Sequence, residues 1–404
     1  MTDSPALILT PPPFAADSAL ARIWDALPAA RVVGGAVRDA LLNRAVADID
    51  LATPLPPDEA AEALRNAGIR VVPTGLAHGT LTAVVDGRGF EITTLRQDVQ
   101  TDGRHAVVAF TAGWRADALR RDFTINALSM ARDGRVFDYA GGIADLRAGR
   151  VRFVGDPATR IAEDYLRILR YFRFQSRYGR NPPDDATQAA LRAGIPGLAH
   201  LSVERVWMEL RRILAAPDPA GGVRLMEELG VLHAVAPELR AAPLDALQAA
   251  GAPADPILRL AAMLTGDPAA FAERLKLSND DRDRLIRLRA TPTPEATADD
   301  AALRRLLADH SRADLIDRLW LSGGAAALRQ RLETLEQPVF PLEGRDVVAI
   351  GVAPGKAVGA LLRAVREWWL EGGCVASRDA CLAELSRQAC ATAAITQNAG
   401  KEVR

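Results

Sequence analysis

The sequence predicts an α+β chain, with a small mixed-sheet head over residues 20–150 and a mostly α-helical remainder. Three observations predict it. Between residues 31 and 145, strand-like apolar runs alternate with short helical patterns. Two of those runs meet in TLTAVVDGRGFEITTL, which turns at Asp86-Gly87-Arg88-Gly89, a hairpin signal that makes the sheet partly antiparallel. After about residue 156, strand signals nearly vanish, and Ala, Leu, Arg and Glu dominate between Pro and Gly breaks.

Taken in order, RVVGG at 31–35 is read as a strand entering a glycine turn, and VRDALLN at 37–43 as a short helix. DIDLAT (48–53) follows as a strand, PDEAAEALRNAG (57–68) as a helix, and IRVVPTG, GTLTAVVD and GFEITTLR as strands. Asp138-Tyr139-Ala140-Gly141-Gly142 is a glycine hinge into the helical part. Breaks at Asn181-Pro182-Pro183, Ala216-Pro217-Asp218-Pro219 and Thr291-Pro292-Thr293-Pro294 are candidate joints. No fixed period recurs, which argues against a regular solenoid.

Composition excludes several classes. Hydrophobic residues at 49% and charged residues at 25% are ordinary globular values, not those of a fibre or a disordered chain. No uninterrupted apolar stretch approaches 18 residues, so no membrane span is expected. The N-terminal MTDSPALILTPPPF lacks a basic segment and is broken by prolines, which argues against a signal peptide and for a cytoplasmic chain. Cys374, Cys381 and Cys390 form no CxxC pair, so neither a disulfide framework nor a zinc site is supported. Net charge is −1, yet residues 150–180 hold eight arginines against three acids. A neutral chain therefore carries a strongly basic segment.

Chemistry concentrates in two blocks. In Arg31-Val32-Val33-Gly34-Gly35-Ala36-Val37-Arg38-Asp39, two glycines let backbone approach a ligand, and the helix that follows offers unpaired N–H groups to an anion. Arg38, in the first helical turn, is placed to reach the same anion. Asp48 and Asp50, two apart on the expected strand, would send both carboxylates from one face while Ile49 enters the core. Paired hard oxygen ligands suit Mg²⁺, and two such ions can stabilise both ends of an in-line phosphoryl transfer. Glu91, between Phe90 and Ile92, has the pattern of a third acid on a neighbouring strand.

The second block begins with Arg120-Arg121-Asp122-Phe123-Thr124-Ile125-Asn126-Ala127 and continues with Arg160 to Arg173. On one continuous helix, Glu163, Asp164, Arg167 and Arg170 would fall within about a third of the circumference. Gly351-Val352-Ala353-Pro354-Gly355-Lys356 is one residue short of a P-loop and lacks its Ser or Thr, so it reads as a turn before a helix at 357–371.

The Gly-Gly, short helix and Asp-x-Asp of the first block resemble the DNA polymerase beta-like nucleotidyltransferase superfamily. With TGLAHGTLT, FEITTLRQD, RRDFTINALSM, DYAGGIADL and RIAEDYLRILRYFRF, the chain is similar to class II tRNA nucleotidyltransferases and their poly(A) polymerase relatives. The likeness is close over residues 30–215 and looser beyond, where 343–373 resembles the family's tail segment.

That resemblance implies a catalytic head (20–150), a neck with a nucleotide-templating motif (151–215), a body (216–310) and a tRNA-binding tail (311–404). It implies Mg²⁺ on Asp48 and Asp50, attack of an RNA 3′-hydroxyl on the α-phosphorus of CTP or ATP, and release of pyrophosphate. Gly35 and Arg38 would bind the triphosphate, and Arg121 would lie beside the nucleotide. Glu163-Asp164-Tyr165-Leu166-Arg167 would template the base, and Arg170 and Arg173 would extend the basic face toward triphosphate or RNA. The chemistry of such a template is simple. A carboxylate only accepts hydrogen bonds and a guanidinium only donates them. Asp164 can accept from the exocyclic amine of cytosine or adenine, and Arg167 can donate to the adjacent ring nitrogen; uracil and guanine present the opposite pattern. Within the family, CCA addition is favoured over poly(A) addition by the Pro73–Thr80 segment, while CC-only enzymes differ in a flexible loop expected at Gln97–His105.

Overall fold

The Asp86-Gly87 pair turns as its residue types predict. Both adopt positive φ, 52° and 78°, and join strand β5 (Thr80–Val85) to β6 (Arg88–Thr94) in a tight antiparallel hairpin. In this computed structural model the described residues are 4–399, apart from 11, 47, 76–78, 102–105 and 324–325, with the side chains of 97–109 and 392–399 also outside the description.

Around the hairpin the chain lays down β1 (Leu7–Ile8), β2 (Arg31–Val33), β3 (Leu51–Thr53), β4 (Arg70–Gly75), β9 (Leu128–Met130) and β10 (Arg135–Asp138). They form one eight-stranded sheet in the order β1-β10-β9-β2-β3-β6-β5-β4. The β3–β6 pairing is parallel and the other pairings are antiparallel. The sheet is thus mixed, as expected. Two further strands, β7 (Arg96–Thr101) and β8 (Ala106–Phe110), pair with each other apart from it. The stretch expected as a flexible loop at 97–105 therefore begins as strand, in keeping with the β-branched Val99, Thr101, Val107 and Val108. Residues 102–105 lie outside the described residues.

Helices α1 (Ser18–Ala26) and α3 (Pro57–Asn66) cover one face of the sheet, and α2 (Gly35–Leu41) follows the glycine turn. Leu20, Ile23 and Trp24 of α1 and Ala60, Ala61 and Leu64 of α3 bury against Val32, Leu81, Ala83, Phe90 and Ile92. Because side chains alternate across a strand, Phe90 and Ile92 entering this core turn Glu91 and Thr93 to the opposite face. The functional site is built there.

The chain continues through α4 (Trp114–Leu119), α5 (Gly142–Ala148), α6 (Pro157–Glu163), α7 (Leu166–Tyr178), α8 (Asp185–Ala193), α9 (Val203–Leu214), α10 (Ala220–Glu228) and α11 (Val231–Val235). The expected glycine hinge is a closed turn. Asp138 accepts from the N–H groups of Ala140, Gly142 and Ile143, and a Cβ on Gly142 would fall 2.1 Å from the Thr124 carbonyl oxygen. Phe123, Phe153 and Tyr171, each buried, pack with ring centroids 4.8–6.1 Å apart and fasten the 120s segment to α7. Phe153→Ala is expected to cost about 3–5 kcal/mol of stability, the usual penalty for emptying such a site; a urea melt of the variant beside the unsubstituted chain measures it.

Ten more helices, α12 (Ala242–Ala249) to α21 (Arg378–Ala399), complete the described chain. Residues 343–373 include α20 (Lys356–Glu371), so the near-P-loop is a turn before a helix, with Gly351 at φ 94°. The chain divides into two compact units, residues 1–241 with 274–276, and 242–273 with 277–404. Every strand among the described residues lies in the first. No described helix is long and apolar enough to cross a membrane.

Candidate active site

Strand β2 ends at Val33 and the chain turns through Gly34, which has φ 65° and caps α2. The left-handed backbone favours glycine here, and a Cβ would fall 3.2 Å from an Arg121 nitrogen. Helix α2 begins at Gly35, two residues earlier than expected, which brings the N–H groups of its first turn to the turn itself. Arg38 is buried and already engaged: it forks onto Asp39 at 3.0 and 3.1 Å and donates to Asn126 Oδ1 at 2.6 Å. Tyr178 donates to the same Asp39 at 2.8 Å and lies beneath the guanidinium.

Asp48 and Asp50 are not on a strand. Strand β3 starts at Leu51, because β2 is only three residues long and its last bond, from the Val33 N–H to the Asp50 carbonyl at 2.9 Å, closes the ladder. The alternation survives without the strand, with Ile49 packed on the core and both acids exposed. The parallel register, Leu51 opposite Ile92, sets Asp50 beside Glu91. Partial burial, then the Glu91 and Asp48 carboxylates, push the Asp50 carboxyl above its ordinary range, with Arg121 opposing. A carboxyl raised by two neighbouring acids belongs to a cluster of oxygen donors of the kind that suits a hard cation. Among the described residues no group of three His, Cys, Asp or Glu is closed up in metal-binding geometry.

The expected continuous helix at 160–173 is broken. Helix α6 ends at Glu163, Asp164 is extended at φ −156°, and α7 restarts at Leu166. Asp164 Oδ1 accepts from the Leu166 N–H at 3.0 Å, which replaces the helical bond lost at the break. Its other oxygen accepts from Arg205 at 2.8 Å. Arg167 instead pairs with Glu163 and donates to the Arg160 carbonyl at 2.8 Å; Arg160 Nη1 donates to both oxygens of the same Glu163 at 3.0 Å.

Gly35, Arg38, Asp50, Glu91, Arg121, Asp164, Arg167 and Arg170 all line one pocket of about 600 Å³. Asp48 and Arg173 do not. They line a second pocket of about 500 Å³ that shares Gly35, Arg38, Asp50 and Phe174 with the first. Asp50 therefore stands where the two meet. In the second pocket Arg173 faces the buried Glu209 at 3.2 Å without alignment, so Arg173 Nε has no hydrogen-bond partner. Burial pulls Arg173 down to about 10, Glu209 opposing and the neighbouring Arg170 and Arg212 adding to the fall.

A chain of contacts runs through four residues that line the first pocket. Asn126, whose oxygen holds Arg38, donates through Nδ2 to Asp122 at 3.1 Å, and Asp122 binds Arg170, with Nε at 2.7 Å. Burial alone would raise the Asp122 carboxyl, but Arg170, Asn126 and the Phe123 N–H hold it below its ordinary range. A depressed folded-state pKa stabilises above the unfolded value, near 3.9, and that gain is lost as pH falls through the folded value. Asp122→Asn is thus expected to destabilise by about 2–3 kcal/mol at pH 7, below the full buried-pair penalty because Arg170 stays partly exposed. The deficit should shrink below about pH 4, measured by urea melts across pH.

Sequence reasoning omitted Arg205, Asn126 and Glu209 from the site. Arg205, Glu209 and Arg212 stand at i, i+4 and i+7 in SVERVWMELRRIL, one polar stripe on a strongly amphipathic helix, which was the available signal.

Comparison with known proteins now decides the family. Residues 30–152 match the family described as Poly A polymerase head domain, and 183–242 match the Probable RNA and SrmB-binding site of polymerase A. Mouse mitochondrial CCA tRNA nucleotidyltransferase 1 is 37% identical, over 88% of this chain and 86% of that protein. The CCA-adding enzyme of Lacticaseibacillus paracasei is 32% identical, over 89% and 93%. The chain belongs to the class II CCA-adding and poly(A) polymerase family of nucleotidyltransferases. The crystal structure of the Bacillus stearothermophilus CCA-adding enzyme in complex with CTP shares its fold, at TM-score 0.72 and 26% identity, covering 95% of this chain and 99% of that one. Nucleotidyltransferases of this family generally use a divalent metal ion.

Proposed function

We propose that this chain adds C, C and A to the 3′ end of tRNA, taking CTP and ATP as substrates without a nucleic-acid template. One observation carries the reading. One pocket of about 600 Å³ is lined both by a carboxylate and a guanidinium, Asp164 and Arg167, and by the Gly35 helix start and Asp50. The first pair fits a base edge and the second a phosphate. Asp164 would accept from the exocyclic amine of cytosine or adenine while Arg167 donates to the ring nitrogen, so one pair of side chains suits both bases. Gly35 and Arg38 would hold the triphosphate, and Arg121 the nucleotide flank. Arg170 and Arg173 would continue that basic wall toward the second pocket.

Asp48 and Asp50, with Glu91 beside Asp50, would hold Mg²⁺, which when bound neutralises phosphate charge and eases deprotonation of the attacking hydroxyl. The 3′-hydroxyl oxygen bonds to the α-phosphorus, the bond to the bridging oxygen breaks, and pyrophosphate leaves. The tRNA would be met by shape and backbone along the neck, body and tail. The proposed site of action is the cytoplasm. Residues 76–78, within the segment that favours CCA over poly(A) addition, lie outside the described residues.

The test is incorporation into a tRNA transcript ending at the discriminator base, with CTP alone, ATP alone, or both. Two Cs with CTP alone and a completed CCA with both are expected. A long A ladder with ATP alone would assign poly(A) addition. Absence of any extension, on this transcript and on one ending in CC, would overturn the proposal.

A further inference from the structure

Helix α4 ends at Leu119, and Arg120 and Arg121 follow its last turn. Both reach back to one carboxylate. Asp117 Oδ1 accepts from Arg120 Nε at 2.8 Å, and Oδ2 accepts from Arg121 Nη2 at 3.2 Å. The same Oδ1 accepts from the backbone N–H of Arg96, at the root of β7, at 3.4 Å. Asp117 is 3% exposed. Burial works against its charge, but Arg121 and then Arg120 outweigh it and hold the carboxyl below its ordinary range. The helix that carries it is fixed in turn, since Trp114 at its start packs on the cluster of Val33, Ala52 and Leu95.

Arg120 alone would neutralise this buried carboxylate, so Arg121 is the surplus cation. From Asp117 it reaches across to the glycine turn. Its Nη1 donates to the Asn126 carbonyl at 3.4 Å and stands 3.2 Å from where a Cβ on Gly34 would fall. These two bonds use two of the five N–H donors of a guanidinium. Arg121 lines the first pocket together with Gly34, Gly35 and Asp50. Two carboxylates thus compete for it: Asp117, in contact, and Asp50, which feels its charge.

We infer that Asp117 is a positioning residue for nucleotide binding, holding the Arg121 guanidinium beside the glycine turn and away from Asp50 so that its other donors meet the nucleotide. The inference rests on the reading that Arg121 lies beside the nucleotide. Without the Asp117 charge, Arg121 is drawn toward Asp50, where it leaves the nucleotide and neutralises a carboxylate of the site. Asp117→Asn keeps the shape and one oxygen acceptor, but removes the charge that holds a second guanidinium. Asp117→Glu keeps the charge, and with it the buried ion pairs, while moving the carboxylate by one methylene.

The experiment measures equilibrium binding of radiolabelled CTP to the full chain by dialysis, with Mg²⁺ present. It compares the unsubstituted protein, both Asp117 variants, Arg121→Met, and each Asp117 variant combined with Arg121→Met. Asp117→Asn is expected to weaken CTP binding by about tenfold, Asp117→Glu by about threefold, and Arg121→Met by about tenfold. Once Arg121 is gone, either Asp117 substitution should change CTP affinity by less than about twofold, because Asp117 acts only through the arginine it holds. Losses that multiply in the double variants would make Asp117 a residue of the fold alone and overturn the inference. So would a CTP affinity unchanged in both Asp117 variants. CTP binding unchanged in Arg121→Met would overturn it together with the placement of Arg121 beside the nucleotide. Transfer to tRNA is read separately on the unsubstituted chain, so failure of the proposed activity is seen apart from failure of Asp117's role.

Discussion

Asp50→Ala is expected to slow nucleotide transfer by about 10³-fold or more, equivalent to about 4 kcal/mol of barrier, while tRNA affinity stays within about twofold. The position makes the effect large. Asp50 is shared by both pockets, lies beside Glu91 through the parallel β3–β6 register, and has its carboxyl pushed up by burial and the acids around it. Removing it takes away the group on which cation binding and phosphate placement converge. It removes little from the fold, because the backbone carbonyl of Asp50, not its side chain, closes the ladder. Single-turnover CMP incorporation at saturating CTP, beside a filter-binding titration with tRNA, measures both quantities. Transfer at the unsubstituted rate would exclude Asp50 from the chemistry and favour a chain that binds RNA without acting on it.

The second large effect is on choice of base rather than on rate. A site built to hydrogen-bond a particular pattern rejects the wrong one by roughly 10⁴-fold, and Asp164→Ala is expected to lower preference for CTP over UTP by about 100-fold. The variant removes the acceptor, frees Arg205 and uncaps the start of α7 at Leu166. Arg167→Ala should lower the same preference through the donor side. Misincorporation of UTP, read against CTP in the same assay, separates this from a general loss of activity. Intact discrimination in both variants would refute templating by these side chains.

The particular residues show what a sequence exposes and what it conceals. The hairpin at Asp86-Gly87 was legible because positive φ at two consecutive positions demands such residues. The face of Glu91 was legible because Phe90 and Ile92 alternate with it. The parallel neighbour of β3 was not, since a period of two says which face a residue takes but not which strand lies alongside. The break at Asp164 was hidden for another reason. EDYLR contains neither Gly nor Pro and reads as helix; the turn is imposed by Gly197 beneath Tyr165 and Arg205 across from Asp164, contacts that local pattern cannot announce. Asp48 was expected beside Asp50 on a strand; the ladder ends before both, and Asp48 lines the second pocket with Arg173 and not the first.

The chain Arg38–Asn126–Asp122–Arg170 has a thermodynamic consequence. Its first member is assigned to the triphosphate, and its last stands one turn along α7 from Arg167, which is assigned to the base; each link is an ionic or amide contact. Two ligand groups that bias one shared network obey reciprocity: whatever factor the phosphate moiety applies to affinity for the nucleoside, the nucleoside must return to the phosphate. Pyrophosphate and a bare nucleoside should therefore modulate each other's dissociation constants by the same factor, and Asn126→Ala should drive that factor toward one. Departure of the leaving group would then relax the grip on the base just added, so that every addition carries its own release signal.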